Sequence, residues 1–401
     1  MVILHVVPTY FPAVRYGGPI YSVHALCRAL AGAGHQVRVL TTSVDGPRDS
    51  DVPHGRPVNL DGVLVYYFRS RFLRRVYWSA DLWEALHSMT ADCDVVHLHS
   101  VFLFPTWVGA RSAVQAGVPY VLSPRGMLDR ELIAQRSTAA KRTWISLVER
   151  GNLARASRIH LTSVEEERAL SELGLALAPT AVIPNGVEPP ASILLDTVSA
   201  DVRAIVAQGF EILSFGRISW KKGLDRLIGA ISELPNARAL IAGNDEEGFT
   251  EKLRSLAAQF GLGDRLRFLP RQISGADKEI LFARARVLAL PSVSENFGNV
   301  VAEAMIRSLP VVVTERVGAA EIVRASGAGV VAGSSQKDFA AALAALLRSE
   351  QRLVDAGAAG ATYAREQLTW DKVARSFADL YAAISRERGA SSRPCPLDDA
   401  A

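Results

Sequence analysis

The sequence predicts an α/β protein with two Rossmann-like, doubly wound domains, each built on a parallel sheet that carries helices on both faces. Three observations lead to this prediction. The 401 residues are too many for one ordinary core. Short Val/Leu-rich runs alternate with segments of helical period, which is typical of parallel sheets. A turn-rich stretch between Pro184 and Gln208 separates one such series from the next.

The first series opens with the apolar run VILHVV, which predicts a buried strand. A loop containing Gly17 and Gly18 follows, and then a helix from Ile20 to Ala33. Further strand-like runs are GHQVRVLTT, GVLVYYF, CDVVHLHS, GVPYVLSP, SRIHLTS and TAVIPNGVE. We therefore predict an N-terminal domain over residues 1–190.

The second series comprises the strand-like runs EILSFGR, ARALIAGN, RLRFLP, RVLALPS and PVVVTE, each separated by ten or more residues of helical period. It predicts a C-terminal domain over residues 205–370. The pattern DKVARSFADLYAAISR predicts a helix over 371–388, which we expect to return to the N-terminal domain. The polar residues 389–401 read as a disordered tail.

Composition restricts the class of protein. Hydrophobic residues make up 49% of the chain and charged residues 21%, as in globular proteins. No run is long enough to span a membrane, no signal peptide is evident, and three distant cysteines suggest neither disulfides nor zinc. We expect a cytoplasmic protein. The net charge of +4 does not choose among anionic lipid, nucleic acid and a phosphorylated substrate.

Two cations follow the first strand of the second series. Arg217 and Lys222 stand on the loop GRISWKKG, five residues apart. Two such side chains can flank one diphosphate and offset charge on a leaving group without a metal. A solvated basic turn is an equally good interpretation of these two residues alone.

Two glutamates follow the strand VLALPS. Glu295 precedes a helix that we expect to begin near Gly298, and Glu303 lies inside it among apolar neighbours. The N–H groups of Phe297 to Val300 would point at a bound phosphate. A carboxylate in such a helix needs partners, and ribose hydroxyls are suitable ones. A solvated helix position is the alternative for Glu303.

The strand DVVHLHS places His97 and His99 on one face, with His99 nearest the carboxyl end. No third ligand follows at a recognisable spacing, and Asp92 and Asp94 precede the strand. We therefore predict no metal site here. We expect His97 to pack in the core.

These motifs together resemble the retaining GT-B glycosyltransferases, in particular the large family-four group. The resemblance rests on Glu295 to Glu303 as an E-x7-E signature, on FGR with KG, on IPNGV at 183–187 and on Gly17-Gly18, all in the expected order. It covers nearly the whole chain and implies a GT-B fold, with two domains facing across a cleft. The first domain would bind the acceptor and the second the donor.

The resemblance implies a retaining, metal-independent transfer of a hexose from a nucleoside-diphosphate sugar to an acceptor hydroxyl. The acceptor would be a saccharide or lipid-linked saccharide of bacterial surface polysaccharide synthesis. No cofactor besides this co-substrate and no nucleic acid is expected. The implied catalytic residues are His99, Glu295, Arg217 and Lys222. The implied donor-binding residues are Gly17, Gly18, Arg217, Lys222, Asn244, Glu295, Phe297, Gly298, Asn299 and Glu303.

The loop SPRGML departs from the family pattern, because Arg125 stands where many relatives carry a histidine. Arg125 would bind an acidic or phosphorylated acceptor, or it would be a turn residue paired with Asp129 or Glu131. Two segments near it, 69–83 and 134–150, mix cations with tryptophan and leucine. They predict either peripheral contact with an anionic membrane or ordinary amphipathic surface helices.

Two other functions remain open at this point. A nucleotide-sugar epimerase would bind the same donor and recruit Glu295 and His99 as an acid/base pair. A non-catalytic partner subunit would keep the phosphate site but lose the sugar contacts. A dinucleotide-binding dehydrogenase is disfavoured, since neither GGPIYS nor GRISWKKG supplies the G-x-G-x-x-G pattern.

Overall fold

The structure is a computed structural model that describes residues 1–130, 133, 138–245 and 248–391. The chain divides into two compact units, Met1–Gly186 with Trp370–Ala401, and Val187–Thr369. The division after Gly186 falls inside the turn-rich interval that the sequence indicates, four residues before the predicted domain end at 190.

The first unit contains an eight-stranded sheet in the order β10-β9-β8-β7-β1-β2-β6-β5. Its pairs are parallel, except that the edge strand β5 runs antiparallel to β6. A separate hairpin is formed by β3 and β4. The strands are β1 Val2–Thr9, β2 Gln36–Thr42, β3 Val44–Asp45, β4 Arg48–Asp49, β5 Val58–Leu60, β6 Val63–Phe68, β7 Val95–His99, β8 Tyr120–Ser123, β9 Arg158–Leu161 and β10 Thr180–Val182.

Helices cover this sheet. They are α1 Gly18–Gly32, α2 Ala80–Met89, α3 Phe104–Gln115, α4 Thr138–Trp144, a π-helical turn Ile145–Glu149, α5 Arg150–Arg155, α6 Val164–Ser171 and the C-terminal helix Trp370–Ser391. The C-terminal helix places Val373, Phe377 and Tyr381 on one face, which packs into the core of the first unit. It ends three residues beyond the predicted residue 388. The rest of the predicted tail, 392–401, lies outside the described residues.

The second unit has a six-stranded parallel sheet in the order β13-β12-β11-β14-β15-β16. Its strands are β11 Ile212–Phe215, β12 Ala239–Ala242, β13 Leu266–Leu269, β14 Val287–Leu290, β15 Val311–Thr314 and β16 Gly329–Ala332. The helices are α7 Ala200–Gln208, α8 Leu224–Ser232, α9 Phe249–Gln259, α10 Gly275–Arg284, α11 Asn299–Ile306, α12 Ala320–Ser326, α13 Gln336–Leu347 and α14 Glu350–Gln367.

Both faces of the second sheet are buried. Leu213 and Leu288 belong to one apolar cluster, while their neighbours Ile212 and Val287 belong to another. Alternate side chains of a strand point to opposite faces, so each strand contributes to two cores. This explains the near-continuous Val/Leu runs. The predicted α/β architecture with two doubly wound parallel sheets is confirmed.

The order of the second sheet has its reversal point between β11 and β14, the first and fourth strands of this unit. Ligands of open α/β sheets bind at the carboxyl ends of the strands at such a point. In the first unit, β1 lies between β2 and β7 and gives an equivalent point. Among the described residues, none of the helices could cross a bilayer.

Candidate functional site

The loops that follow β11 and β14 bring Lys222 and Glu295 together. Lys222 ends a short 3₁₀ turn, and its Nζ donates a hydrogen bond to Oε1 of Glu295. Ser292 Oγ lies 3.2 Å from the same oxygen. The two charged side chains are only 18% and 20% exposed. The sequence-predicted lysine and glutamate therefore form an ion pair at the reversal point of the sheet.

Backbone contacts fix the loop that carries Arg217 and Lys222. Gly243, at the end of β12, has φ of +144°, and a Cβ there would lie 1.9 Å from the carbonyl oxygen of Gly216. Ile218 N donates to Asn244 O at 2.8 Å. The loops after β11 and β12 thus pack backbone to backbone, while Arg217 and Asn244 are exposed.

The N-terminus of α11 lies on the same loop as Glu295. Gly298 is its N-cap with φ of +87°, and Phe297 is buried just before it. Glu295 itself is held by backbone bonds, from its N–H to Arg316 O and from Gly318 N–H to its carbonyl oxygen. The first turn of a helix has N–H groups without intrahelical partners, which favours anions. Glu295, Phe297, Gly298 and Asn299 accordingly border an electropositive helix end.

Glu303 lies one turn further along α11 and has a partner that the sequence did not reveal. Its Oε1 is 2.9 Å from Nζ of Lys278, on α10. Lys278 also lies 6.0 Å from the ring centroid of Phe215, at the end of β11. Glu303 is part-exposed among buried neighbours, so Lys278 supplies the partner that such a carboxylate needs. A lysine within an amphipathic helix carries no signal that predicts this contact.

Gly17 and Gly18 stand at the start of α1, after β1. Gly17 is the N-cap with φ of +75°, and Gly18 is the first helical residue, two residues before the predicted start at Ile20. Gly17 and Gly18 carry no side chains, so a ligand phosphate can approach the backbone closely at these two residues, although Pro19 in the same turn has no N–H to donate.

Four buried histidines line the middle strands of the first sheet. His5 on β1 is in register with His97 on β7, and His160 lies on β9. His97, as predicted, is fully buried, and His99 is equally buried. The sequence analysis missed His5 and His160, because only the strand order reveals that they neighbour β7 and β8.

Hydrogen bonds fix the proton positions of two of these histidines. His160 Nε2 contacts the carbonyl of Ile183 at 2.9 Å and must donate, so its Nδ1 accepts from Ser123 Oγ at 2.7 Å. Ser123 Oγ then accepts from His97 Nε2 at 2.7 Å. Tyr381 Oη donates to His97 Nδ1 at 2.6 Å. The Ile183 carbonyl can only accept, so it determines the direction of every hydrogen bond in this series from Tyr381 to His160.

A second series of hydrogen bonds begins at Arg125. Its Nη2 donates to His99 Nδ1 at 3.2 Å, so His99 Nε2 donates to His5 Nδ1 at 2.9 Å. His5 is left with its proton on Nε2, which has no hydrogen-bond partner among the described residues. Burial and the nearby guanidinium lower the pKa of His5 and of His160 to about 3. Burial, followed by the neighbouring histidines for His97 and by Arg125 for His99, lowers the pKa of both rings well below 6.5, so all four histidines are neutral.

His5, His97 and His99 can present nitrogens within 4.8 Å of one another, which is the grouping of a metal site. The hydrogen bonds argue against a cation. The accepting nitrogen of each ring already accepts a hydrogen bond from a neighbour, and the guanidinium of Arg125 adds positive charge beside His99. This guanidinium would repel a dication at the same place. The residues fit a hydrogen-bonded chain better than a metal centre.

Arg125 occupies the turn after β8 with φ of +55°. Besides His99, its Nη1 contacts Asn185 Oδ1 at 3.2 Å. The sequence offered two carboxylates, Asp129 and Glu131, as partners of Arg125. The two hydrogen bonds of the Arg125 guanidinium go instead to His99 and Asn185, and Glu131 lies outside the described residues. Burial lowers the pKa of Arg125, although Glu166 nearby opposes this. Its Nε is buried without a hydrogen-bond partner among the described residues.

The motif IPNGV acquires a structural explanation from these contacts. Ile183 O accepts from His160, Asn185 holds Arg125, and a Cβ on Gly186 would lie 2.4 Å from the ring of Trp370. The segment therefore supports the buried histidines, and position 186 has no space for a side chain because the ring of Trp370 fills it.

Two family models match the chain. Residues 200–363 match the glycosyl transferases group 1, and residues 17–186 match the glycosyl transferase 4-like domain. The chain belongs to the group 1 glycosyltransferases. The two matches cover most of both units, and the resemblance inferred from the motifs is confirmed.

Sequence relatives agree with this family. A D-inositol 3-phosphate glycosyltransferase from Nocardia farcinica is 31% identical over 59% of this chain and 54% of its own length. An uncharacterized glycosyltransferase from Methanocaldococcus jannaschii is 28% identical over 78% of this chain and 80% of its own. The chain thus aligns with about half of the Nocardia protein.

Solved structures show the same fold. Sucrose-phosphate synthase from Thermosynechococcus elongatus has a TM-score of 0.73 at 21% identity, covering 98% of this chain and all of that one. HepE from Anabaena, solved in complex with UDP and glucose, has a TM-score of 0.72 at 20% identity, with 96% and 100% coverage. The fold is GT-B, as the motifs imply.

Proposed function

We propose that this glycosyltransferase moves a hexose from a nucleoside-diphosphate sugar to an acceptor hydroxyl with retention of configuration and without a metal ion. The observation that carries the proposal is the meeting of Lys222 and Glu295 at the reversal point of the second sheet, on loops that also carry Arg217 and the N-terminus of α11. A diphosphate there would face two cations and a helix end.

Each part of this site has a role in the proposal. Arg217, Lys222 and the backbone of Phe297 to Asn299 bind the diphosphate and stabilise the charge that develops as the sugar leaves. Lys278 orients Glu303 toward the ribose hydroxyls, while Asn244 lies near the base. Glu295 binds hydroxyls of the transferred sugar once Lys222 turns to phosphate. These roles require side-chain cations rather than a divalent ion.

In the first unit, the N–H of Gly17 donates to Val14 O at 3.1 Å, so we assign the N–H of Gly18 to the donor phosphates, and Gly17 leaves room for their approach. His99 is neutral, and its ring is held by Arg125 and His5. A neutral imidazole can contact a sugar hydroxyl as donor or acceptor, and we assign it a role at the transferred sugar. Arg125 carries a guanidinium with an unpaired buried Nε and suits an acidic or phosphorylated acceptor.

Relatives support the choice of substrates. HepE structures contain UDP and UDP-glucose, which makes UDP-sugars the first donors to test. Relatives named for D-inositol 3-phosphate suggest an acceptor that bears a phosphate. We propose a phosphorylated saccharide or a lipid-linked saccharide of cell-surface polysaccharide synthesis, since both present an anionic group to Arg125.

The test is to follow the anomeric proton of product by NMR during transfer from α-linked donor, with and without EDTA. Formation of an α-linked product at the same rate in both samples is expected. A β-linked product would contradict retention, and strict dependence on manganese would contradict the metal-free mechanism. Conversion of the donor sugar to its epimer without transfer would favour an epimerase.

A further inference from the structure

A second ion pair lies beside the contact between Lys278 and Glu303. Glu279, the next residue of α10, receives two hydrogen bonds from the guanidinium of Arg307, the residue directly after α11. Arg307 Nε lies 2.8 Å from Oε2 of the carboxylate, and Nη2 lies 2.5 Å from Oε1. Both side chains are only 9% exposed. Two adjacent ion pairs therefore join α10 to α11, and α10 contributes the cation to one pair and the carboxylate to the other.

The same guanidinium also binds the backbone of Glu303. The last carbonyls of a helix lack intrahelical N–H partners, and α11 ends at Ile306. The backbone N–H of Arg307 contacts Ala304 O at 3.0 Å, which tightens the last turn. Glu303 O, four residues before Arg307, accepts instead from Nη1 of the guanidinium at 2.9 Å. Arg307 thus holds the Glu303 backbone and the carboxylate of the neighbouring helix at once.

A buried aromatic ring fixes the cations of both pairs. Phe282, on α10, is 2% exposed. Its ring centroid lies 5.4 Å from Cζ of Arg307 and 5.8 Å from Nζ of Lys278. Phe282 also contacts Phe215, the last residue of β11, at a ring-centroid distance of 5.2 Å. The two pairs are therefore packed against the strand that leads to the loop of Arg217.

A buried ion pair is not by itself evidence of a function. Desolvation of the charges offsets much of their attraction, and a pair of apolar residues often joins two helices at least as well. An arginine with a carboxylate does provide a defined geometry, because the planar guanidinium makes two parallel hydrogen bonds. Here the third hydrogen bond of Arg307 passes that geometry to Glu303, whose carboxylate is 28% exposed and within reach of a ligand.

We propose that Arg307 and Glu279 are positioning residues for the nucleotide of the donor, an inference that rests on the proposed function of Glu303. They hold the turn of α11 that carries Glu303, so that its carboxylate meets the ribose hydroxyls in one place. The pair thereby sets how well the site distinguishes a ribonucleotide from a 2′-deoxyribonucleotide. A pair that only joined two helices would affect the stability of the protein and leave this preference unchanged.

The experiment compares the Kd of UDP with that of 2′-deoxy-UDP by calorimetric titration, with GDP and ADP and their 2′-deoxy analogues tested in the same way. One hydrogen bond to a charged acceptor is worth about tenfold in Kd, so the unaltered chain should prefer the ribonucleotide about tenfold. Glu303→Gln should lose most of this preference. Arg307→Lys should lose it as well, because an ammonium group does not replace a bidentate guanidinium.

A double variant removes the pair without leaving a buried charge. Arg307→Met alone would leave Glu279 buried without its cation, which is strongly destabilising. Glu279→Met with Arg307→Met removes both charges and should stay folded, yet lose the preference for ribose. Adding Glu303→Gln to it should change the preference no further, since both changes act through one carboxylate. If the double variant does not fold, Arg307→Lys decides the question.

A matched control lies on the same helix. Asp277 precedes Lys278, is only 12% exposed and pairs with Arg271 at 2.8 Å. Asp277→Asn therefore also removes an ion pair from α10. Its melting temperature should fall, while its preference for ribose should equal that of the unaltered chain. Melting temperatures measured on every variant separate a loss of stability from a loss of preference.

The outcomes distinguish this inference from the proposed function. If UDP, GDP and ADP all fail to bind, or if Glu303→Gln keeps the full preference for ribose, the proposed role of Glu303 fails and the inference fails with it. If Glu303→Gln loses the preference while the Arg307 variants keep it, the role of Glu303 stands and the inference is overturned. An equal loss in Asp277→Asn would also overturn it, because any loosening of α10 would then suffice.

Discussion

The two units have the same kind of parallel sheet but opposite electrostatic designs at their strand ends. The second unit uses part-exposed ion pairs, Lys222 with Glu295 and Lys278 with Glu303. The first uses neutral, buried imidazoles ordered by Arg125. All eight histidines of the chain lie in the first unit. The same kind of sheet thus carries charged, part-exposed pairs in one unit and neutral, buried imidazoles in the other.

This difference matters for chemistry. Ion pairs with solvent contact can exchange a carboxylate for a phosphate at little cost, because water stabilises the intermediate arrangements. Buried neutral imidazoles resist change, since protonation would bring an unpaired charge into the core. We therefore expect changes to the ion pairs of the second unit to alter donor use. We expect the buried histidines of the first unit to make the stability of the protein fall at acid pH.

The largest expected effect is that of Lys222→Ala. Removing the cation that we propose to contact the leaving phosphate should lower kcat by about 10²–10³-fold, as for other groups that stabilise developing charge. The melting temperature should fall as well, because Glu295, whose side chain is only 20% exposed, loses its cation. Steady-state kinetics with the preferred donor measure this. Lys221→Ala is the control on the same turn, and an equal loss in that variant would contradict the assignment.

The next effect concerns Glu303. Glu303→Gln should raise the donor Kd by about tenfold, because one hydrogen bond to a charged acceptor is worth about 1.5 kcal/mol. Calorimetric titration with the nucleoside diphosphate measures it. Glu321→Gln, an exposed glutamate of the nearby helix α12, should bind as the unaltered chain does. Unfolding of the Glu303 variant would instead indicate a structural role for the Lys278 pair.

A smaller and more gradual effect distinguishes the first unit. The pKa values of His5 and His160 are lowered to about 3, so the unfolded chain binds more protons between pH 6.5 and 3. Stability must then fall as the pH drops below 6.5, by about 1.4 kcal/mol per pH unit for each such histidine. Urea unfolding at pH 7.5, 6.5 and 5.5 measures the slope. The variant His160→Gln lacks one titrating group and should make the slope of stability against pH shallower. An unchanged slope would contradict the assignment of neutral, buried histidines.

The residues of the proposed donor site could be predicted from the sequence more fully than the hydrogen-bonded histidines. Lys222, Glu295 and the start of α11 directly follow strands, and parallel strands bring such loops to one edge of the sheet. His5 and His160 are interior strand residues whose meeting with His97 and Ser123 depends on which strands are neighbours. The alternation of side chains along one strand shows which residues share a face of the sheet. It does not show which strand lies beside it, so these contacts could not be predicted.

Two further features escaped the sequence for physical reasons. Lys278 meets Glu303 only because α10 packs beside α11, and a lysine on an amphipathic helix is usually just solvated. The segments 69–83 and 134–150 read as two separate amphipathic helices. In the structure Arg75 lies in the 3₁₀ turn Arg74–Val76, and ring contacts from Phe72 through Phe104 to Trp144 link the described parts of the two segments.

The most direct test of the central claim is a thermal-shift panel of UDP-, GDP- and ADP-sugars on the purified chain and on Lys222→Ala. A ligand that binds only the folded state raises the apparent melting temperature. The account predicts a selective shift with one nucleotide, UDP first, that is lost in the Lys222 variant and kept in Lys221→Ala. A shift that persists without Lys222, or none with any donor, would contradict a nucleotide-sugar site at the reversal point of the second sheet.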